Sequence, residues 1–242
     1  VKLAIPDKKI FVSGFLQPIG KINDSCVISL TDNEISCVVC TADTSVILST
    51  TYNTELDLDN PVNLNISDVK KLIKVFDCID NDTVALEVDK NNISYSGSGV
   101  KFKYHLLEDG IITVPKVNVK KIQELEFPVK FTIEYKTLLE LLRGSTFATE
   151  SNKLYIHSSG GKIFGDLTDK ARHNVDSFSL PLAEYSGVEL QPLCLNFELI
   201  RIISGVRVKQ LHCSINPKLG VIVFETSSGL VNTKYIASSL VK

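Results

Sequence analysis

The sequence predicts an α+β fold made of one unit written twice. Three observations carry that prediction. Most of the chain falls into short alternating or apolar runs broken by turn residues, the pattern of antiparallel strands. Four segments break this pattern with helical spacing. The order of these elements then recurs at an offset of about 131 residues.

In the first half the strand-like runs are "CVISL", "ISCVVC", "SVILSTTY", "TVALEVD" and "VKFKYHLL". In the second half they are "KLYIHS", "KIFGDL", "LHCSIN", "GVIVFET" and "LVNTKYIAS". Between them stand "TDNE", "DKNN", "SGSG", "SSGGK" and "NPKLG". Gly and Asn tolerate positive φ there, and Asp and Ser close local turns.

The first helix is expected over Lys8 to Ile22, with Phe11, Val12, Phe15, Leu16 and Ile19 on one face. Gly14 and Pro18 predict a weak or kinked helix. The second is "NISDVKKLIKVF", Asn65 to Phe76, with Ile66, Val69, Leu72, Ile73 and Phe76 on one side. The third spans Tyr135 to Phe147, with Leu138, Leu139, Leu141 and Leu142 apolar. The fourth spans Asn196 to Val206, with Leu199, Ile200, Ile203 and Val206 apolar.

The same shift carries "LNISDVKKLIKVF" onto "LNFELIRIISGV", Leu64 and Asn65 onto Leu195 and Asn196, and Lys103 and Tyr104 onto Lys234 and Tyr235. A shift of about 127 takes Phe11, Val12 and Phe15 to Leu138, Leu139 and Leu142. Each unit is expected to hold two helices, on one face of about six strands. The units are expected at 1–106 and 129–242, joined by residues 107–128 as an extended connector.

A net charge of −2 and a pI near 6.1 do not announce a nucleic-acid binder, so any basic surface must be local. The helices supply one. Lys70, Lys71 and Lys74 lie opposite the core stripe of the second helix. Lys136 and Arg143 do so on the third, beside Glu140, and Arg201 on the fourth, near Glu198, with Arg207 and Lys209 following. Lys8 and Lys9 open the first helix and Lys21 closes it. The acids, Asp82 and Glu87 among them, are expected in strands, turns and the connector. Two readings stay open. These are solvated faces, because lysine is a good helix former, or they face one polyanion. Cations without interleaved aromatics suit phosphate contact and not base stacking.

Catalytic signatures are missing. The sequence holds no GxxxxGK[ST], GxSxG or HExxH, and His105, His157, His173 and His212 are scattered. Cys37 and Cys40 form a CxxC, but on a strand they point to opposite faces and cannot share a metal. The six cysteines are expected as free thiols in a reducing compartment. "DLTDKARHNVD" is expected as a surface loop. No apolar stretch approaches the ~18 residues of a membrane span, and no charged-then-apolar leader opens the sequence. The expectation is a cytoplasmic protein with no enzymatic activity, cofactor, metal or membrane contact.

The repeated helix-and-strand unit, the connector and "CTADTSVIL" (Cys40 to Leu48) resemble the DNA sliding clamps, the polymerase processivity factors. "EYSGVELQPLCLNFELIRII" (Glu184 to Ile203) and "LGVIVFETSSGLVNTKYIASSLVK" at the end are most similar to the two-domain clamps of large tailed bacteriophages. That resemblance implies clamp units assembling into a six-domain ring, in host cytoplasm if the protein is viral. It implies non-sequence-specific contact of the basic helix residues with double-stranded DNA. It also implies a DNA polymerase partner, an ATP-dependent clamp loader and self-association as a homotrimer. Polymerase docking is implied near Val117, Ile122 and Leu125 and along the tail at Ile236 and Leu240. Twelve helices spaced about 8–10 Å apart enclose a hole of roughly 25 Å, which admits a duplex, whereas eight helices do not. Two alternatives remain. One is a monomeric viral processivity protein that grips DNA by charge. The other is a β-rich structural or adaptor protein without a DNA role.

Overall fold

In the computed structural model, residues 1–97, 99–205 and 209–240 are described. The chain divides into two compact units, one of Val1–Val117 with Ser227–Lys234, the other of Asn118–Thr226 with the residues from Tyr235 onward.

The first unit opens with β1 (Lys2–Ile5) and one unbroken helical run: α1 (Lys8–Ile10), a π-helical stretch over Phe11–Leu16, and α2 (Gln17–Ile22). β2 (Cys26–Leu30), β3 (Glu34–Cys40), β4 (Val46–Asn53) and β5 (Val62–Ile66) follow, then α3 (Val69–Asp77), β6 (Val84–Asp89), β7 (Asn92–Gly97) and β8 (Val100–His105). The strands form sheets in the orders β1-β6-β7-β8 and β5-β2-β3-β4. Residues 231–234 of the last strand lie beside β4, where the Thr50 and Thr233 hydroxyls meet at 3.0 Å.

Period-two alternation decides which face is core. Cys26, Ile28 and Leu30 of β2, Ile35, Cys37 and Val39 of β3, and Val46 and Leu48 of β4 are buried, while their neighbours turn outward. Cys37 is buried and Cys40 lies on the other face, as the spacing required. An aromatic cluster joins helices to sheet: Phe11 lies 5.2 Å from both Phe15 and Tyr52 and 5.5 Å from Phe76, centroid to centroid.

The first helix runs from Lys8 to Ile22 as expected, and its irregularity has a definite form. Pro18 has no N–H to donate, so the ladder cannot continue unchanged through it. The turn before it widens: the Gln17 N–H donates to the Val12 carbonyl, five residues back. Asp7 caps the start by accepting from the Ile10 N–H at 2.8 Å.

The second helix starts later than expected. Asn65 and Ile66 end β5, and α3 begins after Asp68, whose carboxylate accepts from the Lys71 N–H at 2.8 Å. Tyr104 secures the cap, accepting from the Asp68 N–H and donating to its carbonyl, each at 2.9 Å.

In the β3–β4 turn, Asp43 accepts from the Thr41 hydroxyl at 2.6 Å and from the Ser45 hydroxyl and N–H at 2.8 and 3.1 Å. These bonds favour the charged carboxylate and hold its pKa down to about 2. The turn's stabilisation is therefore complete above the ordinary carboxylate range and lost as pH falls through about 2. In a carboxyl-detected NMR titration Asp43 is expected to titrate near that value. A midpoint near the ordinary aspartate value would contradict the turn geometry.

The second unit opens with α4 (Val119–Gln123), a short helix inside the segment expected as an extended connector. The Asn118 side chain starts it by accepting from the Lys121 N–H at 3.1 Å. β9 (Val129–Glu134), α5 (Tyr135–Gly144), β10 (Lys153–Ser159), β11 (Lys162–Leu167), β12 (Phe178–Glu184), β13 (Leu193–Asn196), α6 (Glu198–Ser204), β14 (Gln210–Asn216), β15 (Val221–Ser228) and β16 (Val231–Ser238) complete the chain. The orders β9-β14-β15-β16 and β13-β10-β11-β12 copy those of the first half strand for strand. Each copy thus has eight strands among the described residues, not about six.

The third and fourth helices are shorter than expected. α5 stops at Gly144, where a Cβ would come within 2.2 Å of the Phe178 ring, and Phe147 beyond it is exposed. Asn196 ends β13, and its side chain accepts from the Glu198 N–H at 2.9 Å, so α6 starts there. Val206 lies outside the described residues. No described helix is long and apolar enough to cross a membrane.

Candidate nucleic-acid interface

In each unit the two helical elements pack side by side, α2 against α3 and α5 against α6. Gly20 permits the first contact, since a Cβ there would sit 3.5 Å from Val69 Cγ1. The helices bury apolar stripes: Phe11, Phe15 and Ile19, then Val69, Leu72 and Phe76 in the first unit, Leu138, Leu141, Leu199 and Ile203 in the second. What they leave outside is the candidate interface.

On the first unit, Lys9, Ser13, Gln17 and Lys21 are exposed at four-residue spacing and form one strip along the helical run. Lys70, Lys71 and Lys74 are exposed on α3 and share an open cleft with Asp24, Ser67 and Asp68. Lys70 Nζ lies 2.6 Å from Asp24 Oδ1, and that carboxylate holds the lysine above its ordinary pKa. Both side chains are more than half exposed, so solvent screens the pair. Lys9 pairs with Asp82 at 3.2 Å, again in the open. Surrounding protein lowers the Lys21 pKa by desolvation, although the residue is exposed overall. Lys8 differs from the rest. It is half-buried and donates to the Ile79 carbonyl just past α3, where a cation suits the negative helix end.

On the second unit, Lys136 pairs with Glu140 at 4.0 Å and Arg143 is exposed. Arg201 meets Glu198 at 3.0 Å and the Asn152 side-chain oxygen at 3.1 Å, with its guanidinium over the Phe197 ring. Lys209 is exposed just before β14, and Arg207 lies outside the described residues. The acids Asp24 and Asp82 are therefore nearer the basic helices than their sequence positions suggested. Ser13 and Gln17 were not singled out, though their spacing from Lys9 and Lys21 marks the same strip.

The expected docking positions differ in exposure. Val117, Ile122 and Leu125 are half-buried, and Leu240 is exposed, with its N–H donating to the Cys194 carbonyl at 2.8 Å. Ile236 is a correction: it is 4% exposed and belongs to the core, so its side chain offers a partner no surface. Alternation puts it on the opposite face from Tyr235 and Ala237, yet all three are buried, so both faces of β16 are covered there. Ile111 and Val114 in the connector are exposed instead.

One polar cluster resembles catalytic machinery but lacks its geometry. Asp166 sits 2.8 Å from His157 Nε2 and accepts from the Ser179 hydroxyl at 2.6 Å. The serine is bonded to the carboxylate and not to the histidine, so the imidazole is not placed to take the hydroxyl proton as it would be in a Ser–His pair. No group of three or more metal-ligating side chains converges among the described residues.

No protein-family model matches the chain, and no curated protein sequence does. Solved structures match it end to end. One, "C-terminal region of FEN-1 bound to A. fulgidus PCNA", has a TM-score of 0.77 at 14% identity, covering 100% of this chain and 98% of the other. The PCNA2-PCNA3 complex from Sulfolobus tokodaii matches at 0.74 and 13% identity, covering 99% of each chain. Proliferating cellular nuclear antigen from Entamoeba histolytica matches at 0.78 and 14%, covering 99% and 98%. Identity this low speaks to architecture, and the architecture is unambiguous: over its full length, this chain has the fold of the DNA sliding clamps.

Proposed function

We propose that this chain is a polymerase processivity clamp, a non-enzymatic homotrimer that closes around duplex DNA and tethers a DNA polymerase. The observation that carries the reading is a pair of lysine-bearing helix faces left exposed on a clamp fold. Lysines that are solvated and loosely paired hold phosphates weakly and uniformly, which lets a ring slide. Retention on DNA then comes from topology and not from affinity. A separate ATP-dependent loader opens the ring. The likeness of the terminal segments to phage clamps supports a viral protein acting in host cytoplasm.

Strand edges support head-to-tail closure. In the first unit the β4 edge is covered by residues 231–234. Its counterpart β12 is bonded only to β11, and β8 only to β7, among the described residues. An uncovered strand edge is a template for another chain. Two different edges on one chain make a heterologous contact, which closes into a ring when the rotation permits. A protein described as bound to a FEN-1 C-terminal region supports partner docking by a short peptide. Val117, Ile122, Leu125 and Leu240 are the proposed positions.

Light scattering tests the assembly and DNA retention tests the topology. A mass about three times 26.7 kDa is expected, together with retention on nicked circular DNA that is lost on linearisation. A persistent monomer, or retention indifferent to linearisation, would overturn the clamp. Neutralising Lys70, Lys71 and Lys74 together is expected to impair clamp-dependent synthesis while leaving the mass unchanged.

A further inference from the structure

The two helix pairs do not carry the same charge. The first unit's helical segments hold six lysines against one acid, Asp77. The second unit's α5 and α6 hold three cations, Lys136, Arg143 and Arg201, against Glu140 and Glu198. The pairing differs in kind as well. On α5 and α6 the acid lies on the same helix, four residues from Lys136 and three from Arg201. Arg201 is further held by Asn152 and by the Phe197 ring. On the first unit, the partners of Lys9 and Lys70 are Asp82 and Asp24, which lie outside the helices, and Lys21, Lys71 and Lys74 have no ion pair among the described residues.

From this we infer that phosphate contact is concentrated on the first unit, so each chain offers the duplex one basic patch, while α5 and α6 stand against it as near-neutral spacers. The inference rests on the clamp reading and says which part of its surface holds the DNA. Binding free energy tracks the counterions released as phosphates are neutralised. A cation already facing a carboxylate one turn away must give up that partner before it releases any counterion. The first unit's strip of Lys9, Ser13, Gln17 and Lys21, about 18 Å long at 1.5 Å per residue, lies beside the α3 lysines with uncharged hydrogen-bonding side chains between its ends.

Matched triple substitutions separate the units. One variant carries Lys21→Gln, Lys71→Gln and Lys74→Gln; the other carries Lys136→Gln, Arg143→Gln and Arg201→Gln. Affinity for a short duplex is measured by fluorescence anisotropy across a salt series, with each preparation's mass checked by light scattering. The first triple is expected to flatten the plot of log affinity against log salt by roughly 2–3 per chain engaged, the second by less than 1. Equal flattening, or a larger effect from the second triple, would overturn the division of charge. The single substitution Lys74→Gln, expected to flatten the plot by about 0.9, serves where a triple fails to assemble, against Arg143→Gln as its match. Wild-type retention on nicked circles is read separately. If it survives linearisation the clamp itself fails, whereas topological retention with equal slopes removes only this inference.

Discussion

Phe76→Ala is expected to remove about 3–5 kcal/mol from the stability of the first unit. The ring is 1% exposed, lies 5.5 Å from Phe11, and fills a core with Leu72, Leu86 and Ile93 around it. Truncation loses the transfer free energy of the ring and leaves a cavity between α3 and the sheet, which rigid strands cannot close. Urea unfolding followed by circular dichroism measures the loss as a shifted midpoint at unchanged slope. Phe147→Ala is the internal control: at 60% exposure it is expected to change stability by no more than about 0.5 kcal/mol. Equal effects from the two would mean that the aromatic cluster is not the anchor described here. Because α3 carries Lys70, Lys71 and Lys74, loosening it is also expected to weaken the proposed DNA retention.

If the chain assembles as the proposed trimer, Lys103→Pro is expected to convert it to monomer without unfolding either unit. The Leu106 N–H donates to the Asn91 carbonyl, continuing the β7–β8 ladder. Alternation along the strand then turns the N–H groups of His105, Lys103 and Lys101 away from β7, toward the uncovered edge. Proline at Lys103 therefore costs β7 no bond, and an edge strand tolerates it. It does remove a donor and place a ring where an added strand would pair. Light scattering should report a mass near 26.7 kDa, with a circular dichroism spectrum unchanged from wild type. A trimer that persists through this substitution would place the contact elsewhere than β8.

Much of this fold is legible in the sequence because two periods dominate it. Strands such as Cys26–Leu30 and Val46–Asn53 alternate cleanly, since one face is core and the other is not. Others were hidden. Val62–Ile66 reads "VNLNI", and its last two residues, Asn65 and Ile66, were absorbed into a helix, because Asp68 marks a cap only once the strand before it is known. Phe178–Glu184 contains Pro181, which demotes a strand on sequence grounds but is accepted on an edge. The π-helical stretch follows from a bonding choice forced by Pro18, and side-chain pattern does not report backbone bonding. At the interface, the lysines were visible as opposite the core stripe. Their partners were not, because Asp24 and Asp82 reach them through turns whose direction only the fold supplies. Ile236 was misjudged for the same reason, since nearness to the end of a chain says nothing about burial.

The first unit includes residues 227–234, and Thr50 bonds to a residue 183 positions further along. A ribosome making this chain therefore releases the amino-terminal unit long before the strand that covers β4 exists. During that interval β4 is an uncovered edge. Closure must wait for a loop of that length to find its ends, so the first unit matures at nearly the same moment as the second. Birth order and folding order are thereby uncoupled: the half made first cannot be finished first. In a crowded cell, many nascent copies would each carry a bare β4, and pairing between those strands in trans would compete with completion in cis.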